Sequence, residues 1–491
     1  MNIPKEIRSV LKKIEENKFE SYLVGGCVRD LLRGEEPLDW DIATNAKPEQ
    51  IEKIFTKTFR DNKFGTVVVQ LENKNPRLKE IEITPYRTES KYTDKRHPDQ
   101  IRWAKTLKED LKRRDFTINA MALGCPTSNG KSDLGVVDLF GGQDDLEDRI
   151  IRAVGSPNER FSEDALRLMR AVRLAIVLGE NWKIEEKTLQ AIKKNSRLLE
   201  IISKERIRDE LMKIIMSPRG AQGIELLREL NLLKHIMPEL EQGYGVEQNK
   251  HHIYGVYEHS LRSLEYACKK NFNKYVRLAA LLHDIGKPKT KRGKGLDSTF
   301  YNHEIVGAKM AYQLLNCLKF PKKDIQKIVK LVRYHLFYYN VDEVGESSVR
   351  RLVRQVGLEN MDELLQVRMC DRIGSGVPKA EPYKLRHLRY MIEKVSQDPI
   401  SVTMLEIGGD DVMKILNIKP GPKVGQILDI LFSYVLNEPE KNKKDLLKKE
   451  IEKLGKISEK ELSSLAEKSR KERVQIMSKR DEMTKNKYWI T

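Results

Sequence analysis

The segment YLVGGCVRDLLRGEEPLDWD, residues 22–41, places a glycine pair, an arginine and two alternating acids side by side. The apolar run Tyr22-Leu23-Val24 predicts a strand ending at Gly25 and Gly26, after which Val28 to Leu32 continue at helical spacing. Paired glycines permit a tight turn and let an anion approach bare amides at a helix start, where the macrodipole also favours negative charge. Arg29 falls one turn into that helix. A second predicted strand, Leu38 to Ala43, sets Asp39 and Asp41 at i and i+2, so both carboxylates leave one face roughly 7 Å apart. Hard oxygen ligands so spaced suit one or two Mg²⁺ ions held against substrate phosphates, which phosphoryl and nucleotidyl transfer require. A bare Asp-x-Asp is more often a strand edge; the glycines and Arg29 in the same unit turn the reading towards chemistry.

The 491 residues are too many for one core, so several domains are expected. A net charge of +18 on a chain that is still 39% hydrophobic predicts a folded protein that attracts polyanions, without naming the nucleic acid. The five cysteines, Cys27, Cys125, Cys268, Cys317 and Cys370, are far apart and lack C-x-x-C spacing, which excludes a disulfide framework or zinc knuckle and fits a reducing, cytoplasmic setting. Near the N-terminus, Ile7, Val10, Leu11 and Ile14 lie at helical spacing among charges, unlike a secretory signal, and no segment reads as a membrane span.

The expected fold is an α/β head over residues 1–150 followed by a mostly α-helical neck, body and tail. In the head, FGTVVVQLE from Phe64 and LKEIEITPYR from Leu78 read as strands, and Lys47 to Phe55 and Phe116 to Leu123 as helices. Residues 86–115, basic with scattered aromatics and no clean period, read as a loop near the substrate. Beyond Pro157 helical period dominates, and we expect a neck and body over 151–245, a further helical domain over 246–395, and a C-terminal helical region with a lysine-rich tail over 396–491. The tail reads as a solvated helix before it reads as an RNA contact.

Two more clusters carry chemistry in the first half. In RRDFTINAMAL, Arg113, Arg114 and Asp115 precede an apolar run with Thr117 and Asn119 near its start. Arginine matches triphosphate oxygens bidentately and an acid can hold ribose hydroxyls; the alternative is an acid-capped helix start with solvated arginines. In ERFSEDALRLMRAVRLAIVLG, Asp164, Arg167, Arg170 and Arg173 recur every three residues and are expected on one helix. Cytosine and adenine both present an exocyclic amino donor beside a ring-nitrogen acceptor, whereas uracil and guanine present a carbonyl beside an N–H. An Asp/Arg pair therefore accepts C and A and rejects U and G.

These motifs, with DLFGGQDDLEDRIIRAVG and KERIRDEL, occur in the order found in bacterial class II CCA-adding enzymes, the tRNA nucleotidyltransferase and poly(A) polymerase family, which the chain resembles over roughly residues 20–240. The resemblance implies a polymerase-β-like nucleotidyltransferase head. It implies that Asp39 and Asp41 bind Mg²⁺, that Gly25, Gly26, Arg29, Arg114 and Asp115 belong to the nucleotide site, and that Asp164 and Arg167 select C and A with Arg170 and Arg173 beside them. Glu205 and Arg206 match a neck motif whose expected task is structural support, and the segment from Met404 to Asn442 is similar to a tRNA-contacting region.

Six of the nine histidines fall between His251 and His335. His259, the His283-Asp284 doublet in LLHDIGKP and the downstream Asp371 offer imidazoles and carboxylates suited to a divalent transition metal of unknown identity. Over about residues 250–375 the chain resembles the HD metal-dependent phosphohydrolases. His303 and His335 either add ligands for a second metal or lie on the phosphate side, and Lys287 is a candidate phosphate contact. The implied activity is addition of C, C and A to the tRNA 3′ end from CTP and ATP, with tRNA as partner, no membrane, and an accessory hydrolase. A poly(A) polymerase or a CC- or A-adding specialist shares the motifs; a phosphohydrolase with a non-polymerising head is the reading from another class.

Overall fold

The computed structural model of the protein describes residues 2–60, 65–90, 100–124, 135–249, 253–396 and 405–490; Cys125, His251, His252 and residues 91–99 of the expected loop lie outside them. Seven strands form one mixed sheet in the order β3-β4-β5-β2-β1-β8-β9. They are β1 (Ser21–Val24), β2 (Asp41–Thr44), β3 (Thr58–Arg60), β4 (Val67–Gln70), β5 (Glu80–Pro85), β8 (Met121–Gly124) and β9 (Gly135–Asp138), while β6 (Arg87–Ser90) and β7 (Gln100–Trp103) pair as a separate ribbon. Strands β2 and β5 run parallel, and the other neighbours antiparallel. The helices α1 (Lys5–Glu16), α2 (Gly26–Leu32) and α3 (Pro48–Ile54) belong with one face, burying Ile7, Ile14, Val28 and Ile51 against Ile42 and Ile83. Val24, Ala43 and Ala122 on the other face pack with Tyr86 and with Leu111 of α4 (Leu107–Lys112).

The register gathers the chemistry at one end of the sheet. Leu23 pairs with Ile42 and Val24 with Ala122, so the end of β1, the start of β2 and the residues before β8 are neighbours. An α/β head with a helical remainder is as expected, but four local expectations need correction. Strand β2 begins at Asp41, not Leu38: Leu38 is 64% exposed with no layer to cover it, while Trp40 turns into the core. Residues 116–123 are not a helix but a 3₁₀ turn, Thr117–Asn119, followed by β8, whose four residues are buried between β1 and β9. A short apolar run does not distinguish a central strand from a buried helix by period alone. The basic stretch after β5 holds the β6–β7 ribbon and α4. Finally, α6 (Pro157–Glu163) ends before Asp164, which is extended at φ −137°, and α7 (Leu166–Val177) begins after it. Arg167, Arg170 and Arg173 share α7; Asp164 projects from the bend before it.

Helix α5 (Gly142–Glu147) closes the head, and the neck continues through α8 (Glu186–Asn195), α9 (Lys204–Ile215), α10 (Gly220–Glu229), and the short α11 (Leu233–Ile236) and α12 (Pro238–Glu241). The histidine region follows in α13 (Val256–Lys269), α14 (Lys274–Leu282), α15 (Lys287–Thr290), α16 (His303–Cys317) and α17 (Lys322–Tyr334). Contacts divide the chain into two compact units, Met1–His335 with Cys370–Val377, and Leu336–Met369 with Pro378–Thr491. The second unit contains α18 (Glu346–Val356), most of α19 (Met361–Gly374), α20 (Tyr383–Ser396) and a small core contributed by α21 (Gly409–Leu416), α22 (Pro422–Asn437), α23 (Lys444–Gly455) and α24 (Glu459–Lys487). Among the described residues no helix is long and apolar enough to cross a membrane.

Arg277 of α14 joins neck to histidine region inside the first unit. It is 1% exposed, and its guanidinium donates to the carbonyls of Ile215 (3.0 Å), Ser217 (2.9 Å) and Phe272 (2.8 Å) and to Asn271 Oδ1 (3.0 Å). Three of those acceptors are backbone carbonyls, one on the last residue of α9, where a cation also meets the negative end of the helix dipole. Arg277→Met keeps the volume but strands buried acceptors at roughly 1–3 kcal/mol each. Thermal unfolding followed by circular dichroism is expected to show a midpoint several degrees lower.

Candidate functional site

Gly25 is the hinge of the first site. Its φ of +78° lies in the left-handed region, and a Cβ there would stand 2.9 Å from Arg114 Nη1 and 3.5 Å from Asp41 Oδ2. Glycine is therefore required twice, for conformation and for space. It leaves the start of α2 open beside a guanidinium and a carboxylate. Arg114 is oriented by Asp110 of α4, which is 1% exposed and binds both Arg113 (2.8 Å) and Arg114 (3.3 Å).

Burial pushes the Asp41 carboxyl upward in pKa; Arg114 opposes this and Asp39 reinforces it. The Cys27 thiol, buried behind the turn, is pushed up to about 12 by burial and by Asp41. Asp41, buried and facing a second acid, is short of positive charge despite Arg114. That fits a hard divalent cation, with Asp39 and Asp41 as its ligands.

Arg29 donates from Nε and Nη2 to Asp30 (2.8 Å each) and from Nη1 to Asn119 Oδ1 (2.8 Å). Asp115 is buried, with Oδ1 accepting from the Phe116 amide (2.8 Å) and Asn119 Nδ2 (3.3 Å), and Oδ2 from Arg170 Nε (2.7 Å) and Nη2 (2.6 Å). Despite burial, Arg170 and Arg167 hold the Asp115 carboxyl well below the usual carboxylate range. Arg173 binds Glu210 of α9 at 2.6 Å. Asp164 receives a bidentate pair from Arg206 (3.2 and 2.7 Å), and Arg167 donates to Glu163 Oε2 (2.8 Å) and to the Arg113 carbonyl (2.9 Å). The head end of the sheet, the Asp164 bend and α7 are thus stitched together.

Sequence reasoning missed Asp110, Glu163 and the role of Asn119. Asp110 and Glu163 each stand four residues before their arginine, a spacing that marks helical ion pairs and could have found them. The Arg206–Asp164 contact spans 42 residues and has no local signature.

In the histidine region the structure brings His259, His283, Asp284, His303, His335 and Asp371 together. The Asp284 carboxylate stands at the centre: Oδ2 lies 3.2 Å from both His259 and His283 Nε2, and Oδ1 lies 3.3 Å from His303 and 3.8 Å from His335 Nε2. Asp371 Oδ1 is 3.3 Å from His259 Nε2. The Nδ1 atoms of His283, His303 and His335 sit 2.7–2.8 Å from the carbonyls of Ala280, Phe300 and Val332. A carbonyl only accepts, so each Nδ1 carries the proton and each Nε2 presents its lone pair inward, as metal-ligating histidines require. Burial pushes His335 down to about 3, while Asp284 and Asp371 overcome burial and push His259 up to about 9. Two sets of possible metal ligands, His259/His283/Asp284 and Asp284/His303/His335, share one carboxylate. Lys287, also buried, binds Asp284 Oδ2 (2.7 Å) and Gln248 Oε1 (2.6 Å).

Comparison with known proteins agrees in three segments. Residues 21–152 match the poly A polymerase head domain, 181–243 the family described as "Probable RNA and SrmB-binding site of polymerase A", and 256–373 the HD domain. The CCA-adding enzyme of Enterococcus faecalis is 33% identical, covering 90% of this chain and 94% of that protein, and that of Ligilactobacillus salivarius is 34% identical over 92% and 99%. The crystal structure of the Bacillus stearothermophilus CCA-adding enzyme in complex with CTP is 28% identical, covers 92% of this chain and 98% of its own, and superposes with a TM-score of 0.60.

Two outcomes follow from the geometry. Gly25→Ala should abolish nucleotide binding measured by calorimetry while leaving the far-ultraviolet spectrum intact. Asp115 has its pKa depressed by folding, so its ionised form stabilises the fold above the unfolded value near 4, and that contribution is lost as pH falls towards the folded value. Asp115→Asn is therefore expected to lower urea-unfolding stability at pH 7 and to differ progressively less from the parent protein below pH 4.

Proposed function

The chain belongs to the CCA-adding enzymes, and from that premise we propose how its residues divide the work. The protein adds C, C and A to the 3′ end of tRNA from CTP and ATP. Asp39 and Asp41 would hold Mg²⁺, which would supply neutralisation of charge on the triphosphate and the leaving pyrophosphate. The bare amides of Gly25 and Gly26 at the start of α2, with Arg29 and Arg114, receive the triphosphate. Attack of the tRNA 3′-hydroxyl on the α-phosphorus forms the new ester, breaks the bond to pyrophosphate and releases the hydroxyl proton to solvent. Asp164 accepts the exocyclic amino group shared by cytosine and adenine, and Arg167 donates to the neighbouring ring nitrogen. Asp115, Arg170 and Arg173, whose charged atoms already face buried partners, act by fixing that frame. The single observation that carries this reading is the meeting of Gly25, Arg114 and Asp41, with Arg114 Nη1 and Asp41 Oδ2 both within 3.5 Å of the Gly25 Cβ position.

The head of 1–150 and neck of 151–245 would then be the transferase, with basic surface holding tRNA by shape, since an enzyme serving every tRNA does not read one sequence. A second reading, an accessory phosphohydrolase in the HD region, is favoured by the convergence of four histidine Nε2 atoms on Asp284. His259, His283, Asp284 and Asp371 would hold one divalent transition metal, and Asp284, His303 and His335 a second. A metal there supplies a water of lowered pKa for attack on a phosphate ester. With Lys287 already engaged by Asp284 and Gln248, its part is to hold that carboxylate in place.

Asp41→Ala should reduce incorporation of labelled CMP into a tRNA lacking its terminal CCA by at least about a hundredfold and spare phosphoesterase activity on bis(p-nitrophenyl) phosphate. His283→Ala should do the reverse. Loss of both activities in either folded variant would contradict two independent sites.

A further inference from the structure

Asn119 lies between two groups that leave its orientation no freedom. It is 7% exposed, its Oδ1 is 2.8 Å from Arg29 Nη1 and its Nδ2 is 3.3 Å from Asp115 Oδ1. Arginine only donates and carboxylate only accepts, so the amide oxygen must face Arg29 and the amide nitrogen Asp115. Asp115 in turn grips Arg170 of α7 through Oδ2, at 2.7 and 2.6 Å. Four side chains, Arg29, Asn119, Asp115 and Arg170, therefore form one chain of hydrogen bonds from α2 through the 3₁₀ turn to α7. The same helix α7 carries Arg167, which is tied back to the carbonyl of Arg113.

We infer that Asn119 is a positioning residue for nucleotide addition: it holds Arg29 towards the triphosphate and, through Asp115, locks that arginine to the helix that carries Arg167. The inference rests on the reading of Arg29 and Arg167 given above and adds the residue that couples them. Arg29 has a competing partner. Two of its nitrogens bind Asp30 at 2.8 Å, and the Asn119 oxygen holds the third against that pull. Asn119 itself needs no contact with nucleotide. It sits between the part that takes triphosphate and the part that takes base, so its loss affects CTP and ATP alike.

The test is steady-state kinetics with tRNA lacking CCA for CTP and tRNA ending in CC for ATP, at a temperature where circular dichroism shows every variant folded. A hydrogen bond to a charged group corresponds to about tenfold or more in affinity. Asn119→Ala should therefore raise KM for both nucleotides about tenfold, with kcat within about threefold and KM for tRNA unchanged. Asn119→Gln, which keeps an amide oxygen to accept from Arg29 and an amide nitrogen to donate to Asp115, should return KM to within about threefold. In the Asn119→Ala background, Arg170→Gln should raise KM by a smaller factor than it does alone, because the connection it breaks is already gone. An unchanged KM in Asn119→Ala, a fall in kcat alone, or multiplicative effects of the two substitutions would overturn the inference while addition by the parent protein leaves the proposed function standing. Failure of the parent protein to extend tRNA would overturn both.

Discussion

The ion pair between Asp115 and Arg170 joins residues 55 positions apart and lies where the sheet of the head meets the helices of the neck. Its carboxylate is withdrawn from water while the Arg170 side chain keeps 36% of its surface exposed, and burying the acid is costly unless its remaining lone pairs are met. Here they are met on the carboxylate side by the Phe116 amide and the Asn119 side chain. The geometry of the first site descends from this contact. It sets the 3₁₀ turn before β8 and fixes the amide that steadies Arg29. It also brings α7, with Arg167, against the Arg113 carbonyl. Arg206 on Asp164 and Glu210 on Arg173 extend the same logic to α9, so the Asp164 bend and α7 are both tied to that helix.

The two candidate sites solve opposite electrostatic problems. Around Asp41, burial and a neighbouring acid leave the carboxylate in want of a cation, and Arg114 compensates in part. Around Asp284, the carboxyl is held well below its ordinary range by His283, Lys287 and further imidazoles, despite full burial. Burial and His283 push His335 down, against the pull of Asp284, whereas Asp284 and Asp371 push His259 up, so burial and the acids sort the histidines between them. Such divergence of pKa among neighbouring groups is what metal and acid–base sites require.

Much of this was legible in the chain because short motifs carried it. Gly25-Gly26, Arg29 and Asp41 form a local unit, and their proximity follows from β1, α2 and β2 being adjacent in sequence, while Asp39, expected on the same strand face as Asp41, precedes the strand. The His283-Asp284 doublet likewise sits at the end of a visibly apolar helix. What escaped depended on tertiary pairing. The run after Asp115 looked helical because Met121 to Gly124 is apolar throughout, as a central strand buried on both faces must be. Asp164 looked like a member of the arginine helix because its spacing continued the period; the chain bends between Glu163 and Leu166. The sharing of Asp284 by two histidine pairs could not be read at all, since it depends on how α13, α14, α16 and α17 pack.

The central claim is that one site built around Gly25, Arg114 and Asp41 adds a defined trinucleotide. Sequencing the 3′ ends of tRNA transcripts that lack the terminal CCA, after incubation with all four nucleoside triphosphates, tests it most directly. The expected products end in CCA with no further growth and no incorporated U or G. Long A-tails, products halted at CC, or mixed-sequence ends would contradict it.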